Sequence, residues 1–260
     1  LEESLGKSIA QIKENIETNL LEDAARCLYN MDNRFGGNYG TPQRALATLA
    51  VVLDNENSDK YIDWVLFSPG EGGSYTKQGM ASGLINLVYR DGIGFESSPG
   101  YNFGWVGNFV QVAEILLRRG VNVYEEYPRM KSMFDVPIAI VLNDNFTPNI
   151  GDSGNVLAKG KVGWAASTYE TAFRRYGDPK YAKVLYQLGS YGQDIFKDSI
   201  KHQVEDVIKK EGTKIEYRSD NLSGYGLALL RGGKSSDPLS VSLYYGKGGG
   251  HDHWARLNME

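Results

Sequence analysis

The sequence predicts an α+β protein, with helical hairpins over residues 1–197 and β-strands from residue 222 onward. Three observations carry this. Apolar residues recur at steps of three and four through most of the chain, the spacing of one helix face. Gly- and Asn-rich loops separate these segments in pairs. Beyond residue 221 the period becomes two, as in a half-buried strand.

Taken in order, Leu5, Ile9, Ile12, Ile16 and Leu20 mark one amphipathic helix over 2–20. After the loop 33–40 (NRFGGNYG), Thr41 is a candidate N-cap with Pro42 in the first turn, opening a helix to Leu53. Helices are expected over 59–67 and 75–89, then from Tyr101 to about Arg119, closed by Gly120. Val123–Phe134 and Val136–Leu142 read as two pieces, split at Asp135 and Pro137. Helices over 164–176 and 179–191 flank Gly177-Asp178-Pro179. The charged stretch 198–221 reads as a linker, with His202 a solvated bystander. Strands over 225–230 (YGLALL) and 239–245 (LSVSLYY) begin a sheet over 222–260. So few strands are unstable alone and must pack on the helices or on further strands.

Composition narrows the function classes. The 260 residues have a net charge of -4 and no basic stripe, so nucleic acid is not an expected partner. No apolar run approaches the ~20 residues of a membrane helix. Cys27 is the single cysteine, which excludes an internal disulfide. Seventeen tyrosines supply apolar plates with polar tips, suited to sugar rings and to ordinary cores alike. Leu1 at the start and LNME at the end suggest a piece of a longer polypeptide.

Three loops could hold chemistry. Gly36–Gly40 precedes a helix N-terminus, where free amides favour an anion, and Asn38 and Gln43 add neutral amides. The loop from Asp91 to Gly100 leads to Tyr101. The stretch GGGHDHWARLNME, 248–260, holds two of the three histidines, His251 and His253. On a strand these two imidazoles share a face, a pattern for proton transfer, charge neutralisation or metal binding.

In order along the chain, NYGTPQRAL, DGIGFESSPGY, NIGDSG and GGGHDHWARLNME resemble four motifs of the heparinase II/III-like polysaccharide lyases, relatives of heparin/heparan and alginate lyases. That resemblance implies an incomplete (α/α) toroid followed by an antiparallel β-sandwich, with part of each lying outside these residues. It implies β-elimination on an acidic, uronate-containing polysaccharide or oligosaccharide, and a periplasmic or secreted location. The C5 proton is abstracted only if the adjacent carboxylate is neutralised and a base and an acid are in reach. By resemblance, Asn38, Gln43 and His251 form the neutralising shell and Tyr101 is the acid/base. Arg44, Arg90 and Glu96 belong with Gln43 to the substrate-binding set. Two positions depart from the family pattern: Tyr39 stands where it has histidine, and Ala255 where it has aspartate. If that histidine is the base for one uronic acid epimer, Tyr39 takes its place or the substrate range is narrower. No cofactor is required, although some members carry a structural zinc for which His253 would be a ligand, with the others beyond Glu260.

Two other classes fit the same chain. A toroidal glycoside hydrolase needs two opposed carboxylic residues, for which Asp91, Glu96 and Asp152 are the loop candidates. A carbohydrate-binding fragment that has lost catalysis would also accommodate Tyr39 and Ala255. Oligomeric state is not encoded in any of these features.

Overall fold

The first predicted helix forms, but not as one regular element. α1 (Ile9–Ile16) begins at a capping box, Ser8 Oγ accepting from Gln11 N while Gln11 Oε1 accepts from Ser8 N. A π-helical segment, Glu17–Glu22, then leads directly into α2 (Asp23–Tyr29). Ile9, Ile16 and Leu20, three of the five stripe residues, are exposed. The computed structural model describes residues 6–30, 37–70, 75–96, 98–151, 160–193, 196, 198–234, 237–246 and 258–259. The chain divides into two compact units, Leu1–Gly83 with Gln111–Val123, and Leu84–Val110 with Tyr124–Glu260.

In the first unit, α3 (Thr41–Leu53) packs on α4 (Ser58–Phe67), and α2 packs on both. Leu46, Ala47 and Ala50 of α3 and Tyr61, Ile62 and Val65 of α4 are buried at period-3.6 positions. The N-cap of α3 is Gly40, not Thr41, because the residue there has φ of 89°, a left-handed conformation that glycine adopts without strain. The predicted helix over 75–89 is a 3-10 turn, Tyr75–Lys77, followed by α5 (Met80–Asn86). The break has a steric cause. Gly79 N donates to Ser68 O at 2.7 Å, and a β-carbon at Gly79 would sit 2.4 Å from Leu66 O.

Helix α6 (Pro99–Arg118) starts two residues earlier than expected, with Pro99 and Gly100 already helical. Helix α7 (Val123–Glu126) is a single turn that ends before Pro128, the first residue of α8 (Pro128–Ala139). The expected break at Asp135–Pro137 is absent. Pro137 sits in the last turn of α8, and side chains serve carbonyls there: Tyr169 Oη donates to Phe134 O and Trp164 Nε1 to Pro137 O. α9 (Ala166–Tyr176) and α10 (Pro179–Leu188) form as predicted, turned by Gly177 and capped by Asp178, whose carboxylate accepts from Lys180 N.

The stretch read as a linker contains α11 (Lys201–Glu211), which packs on α10 through buried Val204. His202 lies on this helix with an exposed side chain, 3.8 Å from Glu205. The sheet is an antiparallel meander, β1 (Asp220–Leu222), β2 (Leu227–Lys234), β3 (Asp237–Tyr244) and β4 (Asn258–Met259), in that order. Leu222, Leu227, Leu229 and Tyr244 face a core shared with Phe103 of α6 and Val136 of α8. The strands therefore pack on helices, one of the two solutions the sequence allowed. On the opposite face, Leu230, Leu239 and Val241 are exposed.

Candidate functional site

In the first unit the helix mouth at α3 is built from backbone and amide bonds. Thr41 N donates to Asn38 O at 3.0 Å, which closes the turn that presents Asn38 to solvent. Gln43 points the other way and is fully buried. Its Oε1 accepts from Gly40 N at 3.0 Å, and its Nε2 donates to Thr76 O at 2.9 Å and Gln78 O at 2.6 Å. Both amide protons are used. Gln43 thus ties the 75–78 turn to the helix start and presents no donor to a ligand. Tyr39 is likewise fully buried, its Oη donating to Gly79 O at 3.0 Å and its ring edge-on to Tyr75. Burial pushes its phenol far above the ordinary tyrosine range, so it stays protonated. In this arrangement it can neither reach nor accept a substrate proton. Arg44, one position beyond Gln43, is partly exposed.

The second unit holds the loop that leads to Tyr101. Asp91 accepts from Ile93 N at 3.4 Å through Oδ1 and from Tyr225 N at 3.0 Å through Oδ2, so it fastens the loop to the turn before β2. Glu96 is buried and turns inward, its Oε2 accepting from Trp105 Nε1 at 3.1 Å. Asn102 Nδ2 donates to Glu96 O and to Ser98 O. Glu96, expected to bind substrate, is instead part of the loop's internal frame. Tyr101 is partly exposed in the first turns of α6, between the buried Pro99 and Asn102. Arg90 is exposed at the rim of a cleft of about 420 Å³, with Asp91, Ser132, Asn221 and Ser223.

A second cleft, of about 320 Å³, opens where the loop meets the sheet. Its walls carry Tyr89, Phe95, Tyr225, Tyr244 and Tyr245. Phe95 and Tyr245 are 38% and 43% exposed, which leaves ring faces available for stacking. Burial, followed by the charge of Asp91, pushes the Tyr89 phenol up. Tyr245 Oη donates to Asn221 Oδ1 at 2.6 Å, which fixes its ring. No sequence reading singled out these aromatics. The available signal was the pairing of GYG (224–226) with YYG (244–246) at the ends of two strands. A β-carbon on Gly226 would lie 2.4 Å from Gly246 Cα, so the aromatics are framed by glycines that let the strand ends close.

No family model matches the chain, and no curated protein matches it.

Asn38, Tyr39, Gln43 and Arg44 belong to the first unit, and Arg90, Glu96 and Tyr101 to the second. His251, His253, Asp152 and Ala255 lie outside the described residues. Among the described residues no three or more His, Cys, Asp or Glu side chains are grouped to hold a metal ion. Among them, too, no helix is long and apolar enough to cross a membrane.

Proposed function

We propose that the protein is a polysaccharide lyase that cleaves a uronate-containing chain by β-elimination. The observation that carries this reading is the loop 91–101. Its carboxylate Glu96 is buried against Trp105 Nε1 and Asp91 is held by two N–H donors, while Tyr101 is partly exposed in the first turn of the helix. The burial of Glu96 disfavours an opposed Asp91–Glu96 carboxylate pair, which supports the lyase reading over hydrolysis by these two residues. The aromatic cleft beside the loop supports a sugar ligand, since Phe95 and Tyr245 offer apolar faces to a pyranose ring.

In the proposed reaction Tyr101 meets the C5 proton or the leaving oxygen. By the family resemblance, Asn38 and His251 would offset the charge of the uronate carboxylate so that the enolate-like intermediate is stabilised. Gln43 and Glu96 hold the two loops from behind, and Tyr39 anchors the first loop. Arg44, partly exposed, and Arg90, exposed, are the cations of the substrate-binding set. We further propose that the helical pairs are part of an (α/α) toroid and that β1–β4 begin a sandwich. The exposed apolar residues Leu230, Leu239 and Val241 support the second point, because a sheet with two apolar faces calls for a covering layer. The resemblance also carries the proposed periplasmic or secreted location and, in a longer chain, a structural zinc held in part by His253.

The test is incubation with alginate, heparan sulfate, hyaluronan and ulvan-type substrates. Products bearing a C4–C5 double bond, seen by ultraviolet absorbance, are expected from at least one. Saturated products from any of them would replace the lyase reading with hydrolysis.

A further inference from the structure

Arg231 sits on the helix-facing side of β2, two residues beyond buried Leu229. Its Nη2 donates to Ala139 O at 2.6 Å and Val141 O at 2.9 Å, and its Nη1 donates to Arg218 O. All three acceptors are neutral carbonyls. Among the described residues Arg231 forms no ion pair, and its enclosed Nε has no hydrogen-bond partner. A half-buried guanidinium whose direct partners are all neutral is costly and is ordinarily matched by an anion.

The surroundings point the same way. Arg231 lines a cleft of about 560 Å³ together with Lys214, Arg218 and Lys234, against the acids Asp144 and Glu216. Asp144 is already matched by Lys161 Nζ at 2.6 Å and by the Tyr217 hydroxyl at 2.8 Å. Glu216 lies 3.9 Å from Arg218. The lining thus holds four cations and two acids, Asp144 being neutralised by a lysine outside the lining and Glu216 lying beside Arg218, while Asp237 stands opposite Lys234 at the same end of the hairpin. Burial lowers the proton affinity of Arg231, only partly offset by Tyr217 and Asp220.

We propose that this cleft binds an oxyanion, the carboxylate or sulfate group of an acidic glycan, against Arg231 and Lys234. The glycan as ligand rests on the lyase reading, whereas the anion site rests on the charges alone. The register places Gly233 opposite Pro238 at this end of the hairpin and Leu227 opposite Tyr244 at the aromatic end. Six residue steps separate them, about 20 Å at ~3.4 Å per residue. A polysaccharide reaching both ends would be held by an acid group at one and stack on aromatic rings at the other.

The experiment is calorimetric titration of the chain, at constant ionic strength, with inorganic sulfate, an oligouronate, a sulfated oligosaccharide and a carboxyl-reduced neutral oligosaccharide. Saturable binding of sulfate and of at least one acidic glycan is expected, with the neutral one weaker by tenfold or more, about the effect of one charge-assisted hydrogen bond. The oligouronate and sulfated arms separate the two sources of the oxyanion. Arg231→Gln should remove most of this affinity. Because Arg231 also braces the sheet, Arg218→Gln combined with Lys234→Gln, on exposed side chains, provides a second reading and should weaken binding severalfold. No saturable anion binding, unchanged affinity in the folded variants, or equal affinity for the neutral glycan would overturn the site. The titration needs no turnover, so it can succeed where the absorbance assay fails, or fail where that assay succeeds.

Discussion

Asp91 and Tyr225 are 134 residues apart in sequence and joined by one hydrogen bond, Tyr225 N to Asp91 Oδ2 at 3.0 Å. The same carboxylate accepts from Ile93 N, and Gly224 packs so closely that a β-carbon there would lie 2.9 Å from Asp91 Oδ2. The loop of the proposed acid/base and the entry to β2 are therefore one mechanical piece. Asp91→Ala leaves the Tyr225 N–H without its acceptor and should cost about 1–3 kcal/mol. Urea unfolding checks it: the midpoint should fall with an unchanged slope. Loss of turnover with no change in midpoint would instead assign Asp91 to the chemistry.

Gln43 supplies a second discrimination. With one acceptor and both donors engaged, Gln43→Ala should destabilise by about 2–4 kcal/mol, since it leaves buried backbone groups unmatched. Gln43→Glu would set a carboxyl oxygen against the carbonyls of Thr76 and Gln78, which disfavours the ionised form. Its native pKa would then be raised, so stability should fall as pH rises above the unfolded value of about 4.3. Thermal melts from pH 4 to 8 read this directly. A substrate ligand without a structural role would show neither effect.

The network at the start of α10 predicts an acid limit. Lys131 Nζ lies 3.0 Å from Asp178 and 3.1 Å from Asp135, and Lys180 Nζ lies 3.0 Å from Asp135. Burial alone would raise the pKa of Asp178, but the Lys131 hydrogen bond, the Lys180 N–H and both lysine charges outweigh it and hold it below the usual range. A carboxylate depressed in the folded state contributes stability that is complete above its unfolded pKa, about 3.9, and is lost as pH falls through the native value. Stability should therefore decline below about pH 4, and Asp178→Asn should flatten that limb while lowering stability at pH 7. Melting temperature against pH in both proteins is the measurement. An equally steep acid limb in the variant would place the titration elsewhere.

The α+β succession was legible because helix and strand periods differ, and capping signals such as Asp178-Pro179 mark ends chemically. Helix α11 was not, because Ile200 and Val204 are diluted among lysines and glutamates. The break at Gly79 depends on a backbone approach from Ser68, which no local pattern encodes. For the site, the loops themselves were legible from their glycines and prolines. The direction of the side chains was not: Asn38 and Gln43 read as equivalent amides, yet one faces solvent and the other the interior. The aromatic cleft escaped notice because its members come from three separated segments, 89–95, 223–226 and 244–246.

The two tyrosines of the motif loops give the last prediction, because the structure gives them different exposures. Tyr39 is sealed in, its hydroxyl bonded to Gly79 O, whereas Tyr101 is partly exposed at the end of the 91–100 loop. Tyr39→Phe removes one buried hydrogen bond and should cost about 1 kcal/mol, with turnover per folded molecule retained. Tyr101→Phe should lower kcat per folded molecule by about 10²–10⁴, the range for a positioned proton-transfer group. Oligosaccharide affinity should be retained, because the ring remains. Initial rates of ultraviolet absorbance on the same substrate, with melts of both variants, separate the roles. Full activity in Tyr101→Phe would remove the phenol from the reaction, and the β-elimination mechanism would then need another proton carrier.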